Sequence, residues 1–181
     1  MRETMAIVDS VIEQFDEGQE AFARPSLGIM VEVPGVVALL PHLAQWIDFI
    51  SVGTNDLTQY LLAADRTNAQ ISSYFDFLHP AVLKTLADLS KKARTLQIDI
   101  SVCGEMGADP LAAALLVGMG YQTLSMNAHS LPRIKALLRG LSLKECQALA
   151  AKALRQWEAR TIRESTKIEL SNLGLEAYLG D

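Results

Sequence analysis

The chain has 181 residues, half of them hydrophobic and only 6% aromatic, with a formal net charge of −5. That is enough apolar material for a sizeable core, and no basic cluster is dense enough to follow a phosphate backbone, which argues against a nucleic-acid partner. Every long apolar run is broken well before the roughly 20 residues that a membrane-spanning helix needs, and Met1-Arg2-Glu3-Thr4 opens no secretory signal, so the expectation is a cytoplasmic protein with no membrane partner.

In chain order, residues 1–22 predict a leading helix. Short apolar runs rich in β-branched residues at 28–33, 49–54, 99–104 and 123–128 predict buried strands. Apolar residues at three- and four-residue spacing predict helices over 35–45, 57–64, 80–97, 110–119 and 131–141. Asp109-Pro110 reads as a cap followed by proline at the first helical position, and Ser142 with Glu145 as a capping box. Residues 143–171 predict a charged, mostly helical extension. The expected organisation is a single domain: a leading helix over 1–25, four βα units over 26–141, and a helical C-terminal extension over 142–181.

The order βαβαβαβα predicts an α/β protein with a parallel sheet. Such units build either an open doubly wound sheet or a (β/α)₈ barrel, and a full barrel takes about 250 residues. Pattern alone favours a small open sheet, because half a barrel leaves two strand edges unpaired.

The polar residues fall at the C-terminal ends of the strands: Glu32, then Asn55-Asp56, then Cys103-Gly104-Glu105, then Asn127. In parallel α/β folds that edge is where ligands bind. Glu32 and Asp56, at neighbouring strand ends, can share a hard divalent cation, with Mg²⁺ the natural candidate. The alternative stays open that Glu32 pairs with a base and Asp56 caps the helix from Leu57. Gly53-Thr54-Asn55-Asp56-Leu57 puts a turn at a helix N-terminus, which favours a phosphate or carboxylate. Arg66 can grip phosphate through two hydrogen bonds, or make a surface pair with Asp65 or another acid. Cys103 can face a pocket as acid or nucleophile, or lie buried and inert. Cys146 reads as packing, His79 as a cap or a residue that orients a loop, and His42 and His129 as surface or loop residues; none of the histidines is assigned to catalysis. The two cysteines make neither a disulfide framework nor a close metal pair, which fits a reducing compartment.

Read together, Gly28-Ile29-Met30-Val31-Glu32-Val33-Pro34, the run from Phe49 through Gly53-Thr54-Asn55-Asp56-Leu57-Thr58-Gln59-Tyr60, Ala64-Asp65-Arg66, Leu78-His79-Pro80-Ala81 and Cys103-Gly104-Glu105-Met106 closely resemble the phosphoenolpyruvate-utilising enzyme family. Within it the chain looks most like Enzyme I of the bacterial phosphotransferase system. Leu40-Pro41-His42-Leu43-Ala44 and Leu124-Ser125-Met126-Asn127 resemble the nitrogen-related form in particular.

The resemblance implies the C-terminal half of a (β/α)₈ TIM barrel with a helical C-terminal extension. It implies Glu32 and Asp56 as Mg²⁺ ligands, Asn55 and Arg66 on the phosphoryl group, the backbone around Asn55 and Asp56 on the substrate carboxylate, and Cys103 as proton donor. The reaction it implies passes the phosphoryl group of phosphoenolpyruvate to a histidine on a separate domain and then to a small phosphocarrier protein, leaving pyruvate, in sugar transport or nitrogen regulation. It also implies a homodimer. With only the last four strands matched, the expectation is a chain that turns over poorly by itself. Rival expectations are a piece of a pyruvate phosphate dikinase or phosphoenolpyruvate synthase, and a non-catalytic dimerisation or regulatory module.

Overall fold

Four short parallel strands lie side by side in sequence order: β1 (Gly28–Val31), β2 (Phe49–Gly53), β3 (Asp99–Cys103) and β4 (Thr123–Leu124). The computed structural model describes residues 1–17 and 24–180. The register aligns Val31 with Val52, Val52 with Val102, and Val102 with Leu124. Because side chains alternate along a strand, Met30, Ser51 and Ser101 then share the opposite face.

That alternation decides between the two architectures. Strands that pair in sequence order through right-handed crossovers put every connecting helix on one side of the sheet. The face bearing Val31, Ile50, Val52 and Val102 buries all four fully, with Ile29, Ile100 and Leu124 partly buried beside them. It is covered by α2 (Pro34–Leu43), α4 (Pro80–Leu96) and α5 (Pro110–Met119), whose Val37, Leu40, Leu86, Leu89 and Leu115 join it in one core. The other face is uncovered, with Met30 50% and Phe49 38% exposed. A doubly wound sheet carries helices on both faces; one covered face and sequential strands are the winding of half a (β/α)₈ barrel.

Local chemistry fixes the helix starts. Asp109 accepts a hydrogen bond from Ala112 N at 2.8 Å with Pro110 at the first position of α5. His79 Nδ1 accepts from Ala81 N at 3.2 Å at the head of α4. Ser142 and Glu145 close the expected capping box at the start of α7 (Leu143–Ala153). Helix α5 is buried nearly all round, between the sheet and α7. Gly118 makes that contact possible, since a Cβ there would stand 2.0 Å from the Cys146 carbonyl oxygen. The last helix, α8 (Ala159–Asn172), is anchored through buried Ile162, Thr166 and Leu170.

Several boundaries differ from expectation. The leading helix, α1, runs from Arg2 to Glu17, and the remaining expected residues 18–22 lie outside the described residues. Strand β4 ends at Leu124 instead of reaching residue 128, because it pairs on one side only and Asn127 turns the chain by accepting Ser130 N at 2.9 Å ahead of α6 (Leu131–Arg139). Helix α3 (Thr54–Leu62) begins three residues before Leu57, directly from the end of β2. Among the described residues no helix is long and apolar enough to cross a membrane.

Candidate functional site

Strands β1, β2 and β3 finish at one edge of the sheet, and the polar residues that follow them lean towards one another. Glu32, just past β1, lays its side chain over Gly53 at the end of β2. A Cβ on Gly53 would stand 2.6 Å from Glu32 Cγ and 2.7 Å from its Oε1, so any larger residue there would have to displace the Glu32 side chain. Asp56 lies in the first turn of α3. Both carboxylates are half-buried, and neither makes a hydrogen bond or ion pair among the described residues. The two bland alternatives are therefore not realised: no base pairs with Glu32, and Asp56 is not the cap of a helix starting at Leu57, since Gly53 stands at the N-cap and no side chain caps α3.

An uncapped helix start leaves the first-turn N–H groups of α3 without a side-chain acceptor, and the helix dipole favours an anion there. Thr54 and Asn55, the first two helical residues, press against the loop after β3. The Thr54 hydroxyl donates to the Cys103 carbonyl at 2.8 Å. Gly104, at φ +103°, admits them both: a Cβ there would stand 2.7 Å from Thr54 Oγ1 and 3.2 Å from Asn55 Oδ1. The start of α3 and the loop after β3 are thus held together by one hydroxyl and one glycine.

Arg66 lies on the exposed connection after α3, its guanidinium 3.6 Å from the Glu105 carboxylate. Its acid is Glu105, not Asp65. The Asp65 carboxylate instead takes Thr67 N at 2.8 Å and Thr67 Oγ1 at 2.7 Å, and those two bonds, more than the charge of Arg66, hold its carboxyl below the ordinary range. The Arg66–Glu105 pair is solvent-exposed and long, so it is weak and easily exchanged for a stronger anion.

Cys103 sits half-buried at the end of β3 on the uncovered face. Its Sγ is 3.5 Å from the Val52 carbonyl and 3.5 Å from Met30 Sδ, both acceptors for the thiol proton. The Ser51 hydroxyl, also 3.5 Å away, can donate to the sulfur. Ser51 is the residue that sequence reasoning missed. Its signal was the two-residue period: Ser51 and Ser101 are small and polar between Ile50 and Val52, and between Ile100 and Val102.

The structure brings together Glu32, Asn55, Asp56, Arg66 and Cys103 around the ends of β1 to β3, and leaves Asn127 out, exposed and used in its turn. Cys146 is 2% exposed, and burial, with Glu145 beside it, pushes its thiol up, as suits packing. His79 caps α4, and His42 and His129 are exposed. Among the described residues no three of His, Cys, Asp and Glu gather to hold a metal; a cation held by two carboxylates completes its shell with ligand and water oxygens. A cleft of about 1080 Å³ opens at the other end of the sheet, beside Gln97, Asp99 and Gln122, and includes none of the site residues.

Residues 1–143 match the family model described as PEP-utilising enzyme, PEP-binding domain. The chain is 46% identical over 155 residues to a Salmonella typhimurium protein named phosphoenolpyruvate-dependent phosphotransferase system, covering 86% of this chain and 21% of that protein. The Escherichia coli protein of the same name is 46% identical over 152 residues, covering 84% and 20%. A multiphosphoryl transfer protein of Xanthomonas campestris is 45% identical over 137 residues, covering 76% and 16%. The chain spans about a fifth of the length of these relatives.

Proposed function

The chain belongs to the PEP-utilising enzyme family, matching its PEP-binding domain, and on that footing we propose that it carries the phosphoenolpyruvate site of a phosphoenolpyruvate-protein phosphotransferase. The phosphoryl group would pass to a histidine carried outside this site and then to a small phosphocarrier protein. One observation supports the reading most: Glu32, just past β1, and Asp56, in the uncapped first turn of α3, are half-buried carboxylates with no partner among the described residues. Two carboxylates without a base beside them, at one sheet edge, offer the oxygen donors a hard divalent cation takes.

The donors are carboxylate oxygens, which suit Mg²⁺, and Glu32 and Asp56 would hold it. When bound, the ion adds positive charge near the bridging oxygen where negative charge builds as phosphorus leaves. The chain's own groups do the rest. The first-turn amides of α3 and Asn55 receive the substrate's carboxylate and phosphoryl oxygens. Arg66 exchanges Glu105 for the phosphoryl group, trading an exposed pair for a doubly hydrogen-bonded one.

Loss of the phosphoryl group leaves the enolate of pyruvate, whose carbon needs a proton. Cys103 supplies it: the S–H bond breaks, a C–H bond forms, and the electron pair stays on sulfur, where the Ser51 hydroxyl donates to the thiolate. Solvent restores the thiol, since the site is half open. The same reading carries a cytoplasmic location and a homodimer, both as the resemblance to Enzyme I implies.

Calorimetric titration with phosphoenolpyruvate and Mg²⁺ tests the reading, with Glu32→Ala and Arg66→Ala as controls. Binding by the unaltered chain and loss in both variants is expected; equal binding by all three refutes the site.

A further inference from the structure

We infer that Arg163 is a positioning residue for the loop that carries Arg66. It stands on α8, beyond the residues 1–143 that match the family model. Its Nη2 donates to Asp76 Oδ1 at 3.0 Å, and its guanidinium lies 5.8 Å from the centre of the Phe77 ring. The same Asp76 oxygen takes the Leu78 N–H at 2.8 Å, so one carboxylate joins α8 to the last turn before α4.

The two sides of this contact differ in firmness. Ile162, Thr166 and Leu170 fix α8 in the core. Residues 65–70, by contrast, are exposed throughout. From Asp65 to His79 the backbone is a run of overlapping turns: Asn68 N bonds Asp65 O, Ile71 N and Ser72 N bond Asn68 O, Tyr74 N bonds Ile71 O, Phe75 N bonds Ser72 O, and His79 N bonds Asp76 O. Consecutive turns share or adjoin residues, so a displacement at Asp76 is passed back towards Arg66.

Among the described residues, the side-chain ion pairs that tie this segment to the rest of the chain are two, Arg66 to Glu105 and Arg163 to Asp76. On the reading above, phosphoenolpyruvate draws Arg66 away from Glu105. Arg163 is then the ion-pair tie that remains, holding the loop in place while Arg66 changes partner.

The inference rests on that reading for its ligand but not for the clamp, and one experiment separates them. Amide hydrogen exchange over residues 65–78 is followed in the unaltered chain, Arg163→Ala, Arg163→Lys and Asp76→Asn, alongside titration with phosphoenolpyruvate and Mg²⁺. Exchange over 65–78 should quicken about fivefold in Arg163→Ala and in Asp76→Asn, with affinity falling by about the same factor, as removal of one partner in a coupled network predicts. Arg163→Lys restores the charge and should recover part of both. Asp76→Asn leaves α8 untouched, so quickening in Arg163→Ala without it in Asp76→Asn overturns the clamp, as does unchanged exchange in both. Quickened exchange with unchanged affinity overturns the positioning role. If the unaltered chain binds no phosphoenolpyruvate yet the exchange pattern holds, the clamp stands and the functional reading falls.

Discussion

Glu32 crosses from the end of β1 to lie over Gly53 at the end of β2, close enough that a Cβ on Gly53 would meet its Cγ at 2.6 Å. The glycine sets where the carboxylate can stand. Gly53→Ala is therefore expected to displace the Glu32 carboxylate and cost about tenfold or more in Mg²⁺-dependent phosphoenolpyruvate affinity, the range seen when groups that orient metal ligands are lost. The backbone angles at Gly53 are ordinary for any residue, φ −78° and ψ 85°, so the fold should survive. Calorimetry at several Mg²⁺ concentrations, with thermal unfolding beside it, checks both halves; retained affinity would count against Glu32 as a ligand.

On the proposed function, Glu105 would compete with phosphoenolpyruvate for Arg66, with which it pairs at 3.6 Å. Both partners of the pair are exposed, at 43% and 73%, so the pair itself contributes little to stability. Glu105→Gln should leave unfolding unchanged and raise affinity for phosphoenolpyruvate about two- to threefold at low ionic strength, with the gain shrinking as salt screens the charges. Titrations at two salt concentrations measure it. Weaker binding in the variant would mean that Glu105 orients Arg66 instead of competing for it.

The two thiols should behave differently. Cys103 is half-buried on the uncovered face, whereas Cys146 is 2% exposed against α5 with its thiol pushed up by burial. Iodoacetamide should label Cys103 at least about tenfold faster, since alkylation needs an accessible thiolate. Phosphoenolpyruvate with Mg²⁺ should protect Cys103 and leave Cys146 unaffected. Mass spectrometry of the labelled peptides gives both rates, and faster labelling of Cys146 would show that α7 opens readily from α5.

Much of this was legible in the sequence because the signals are local. Strand runs such as Ile100-Ser101-Val102, the Asp109-Pro110 cap and the Ser142 capping box announce themselves within a few residues, and polar groups at the strand ends mark the edge proposed as the site. The start of α3 was misjudged because Gly53 gives no side-chain cap to read, and the length of β4 because its strand run lacks a partner on the outer side. Ser51 was passed over, and Glu105, noted at a strand end, was not matched to Arg66, for another reason. Their contacts with Cys103 and Arg66 arise from strand register and from loops meeting in space, which spacing along the chain does not encode. Arg163 is the extreme case, 87 residues from the Asp76 it holds.

Acid should loosen α7 at its start. Ser142 Oγ and Ser142 N both bond Glu145 Oε2, at 2.6 and 2.7 Å, and the hydroxyl bond most of all holds the Glu145 carboxyl below the ordinary glutamate value of 4.5. A depressed carboxyl binds its proton less readily in the folded state than in the unfolded one. Its contribution to stability is therefore present above the unfolded value and is lost as pH falls through the folded one. Ser142→Ala removes the hydroxyl bond. The gap in melting temperature between the unaltered chain and Ser142→Ala should be widest near pH 7 and narrow as pH drops below about 4. It should not close, because the neutral bond from Glu145 N to Ser142 Oγ at 3.2 Å is lost in the variant at every pH. Thermal unfolding across that range decides the matter: a gap that stays constant with pH would assign the whole effect to the neutral cap and none to the Glu145 charge.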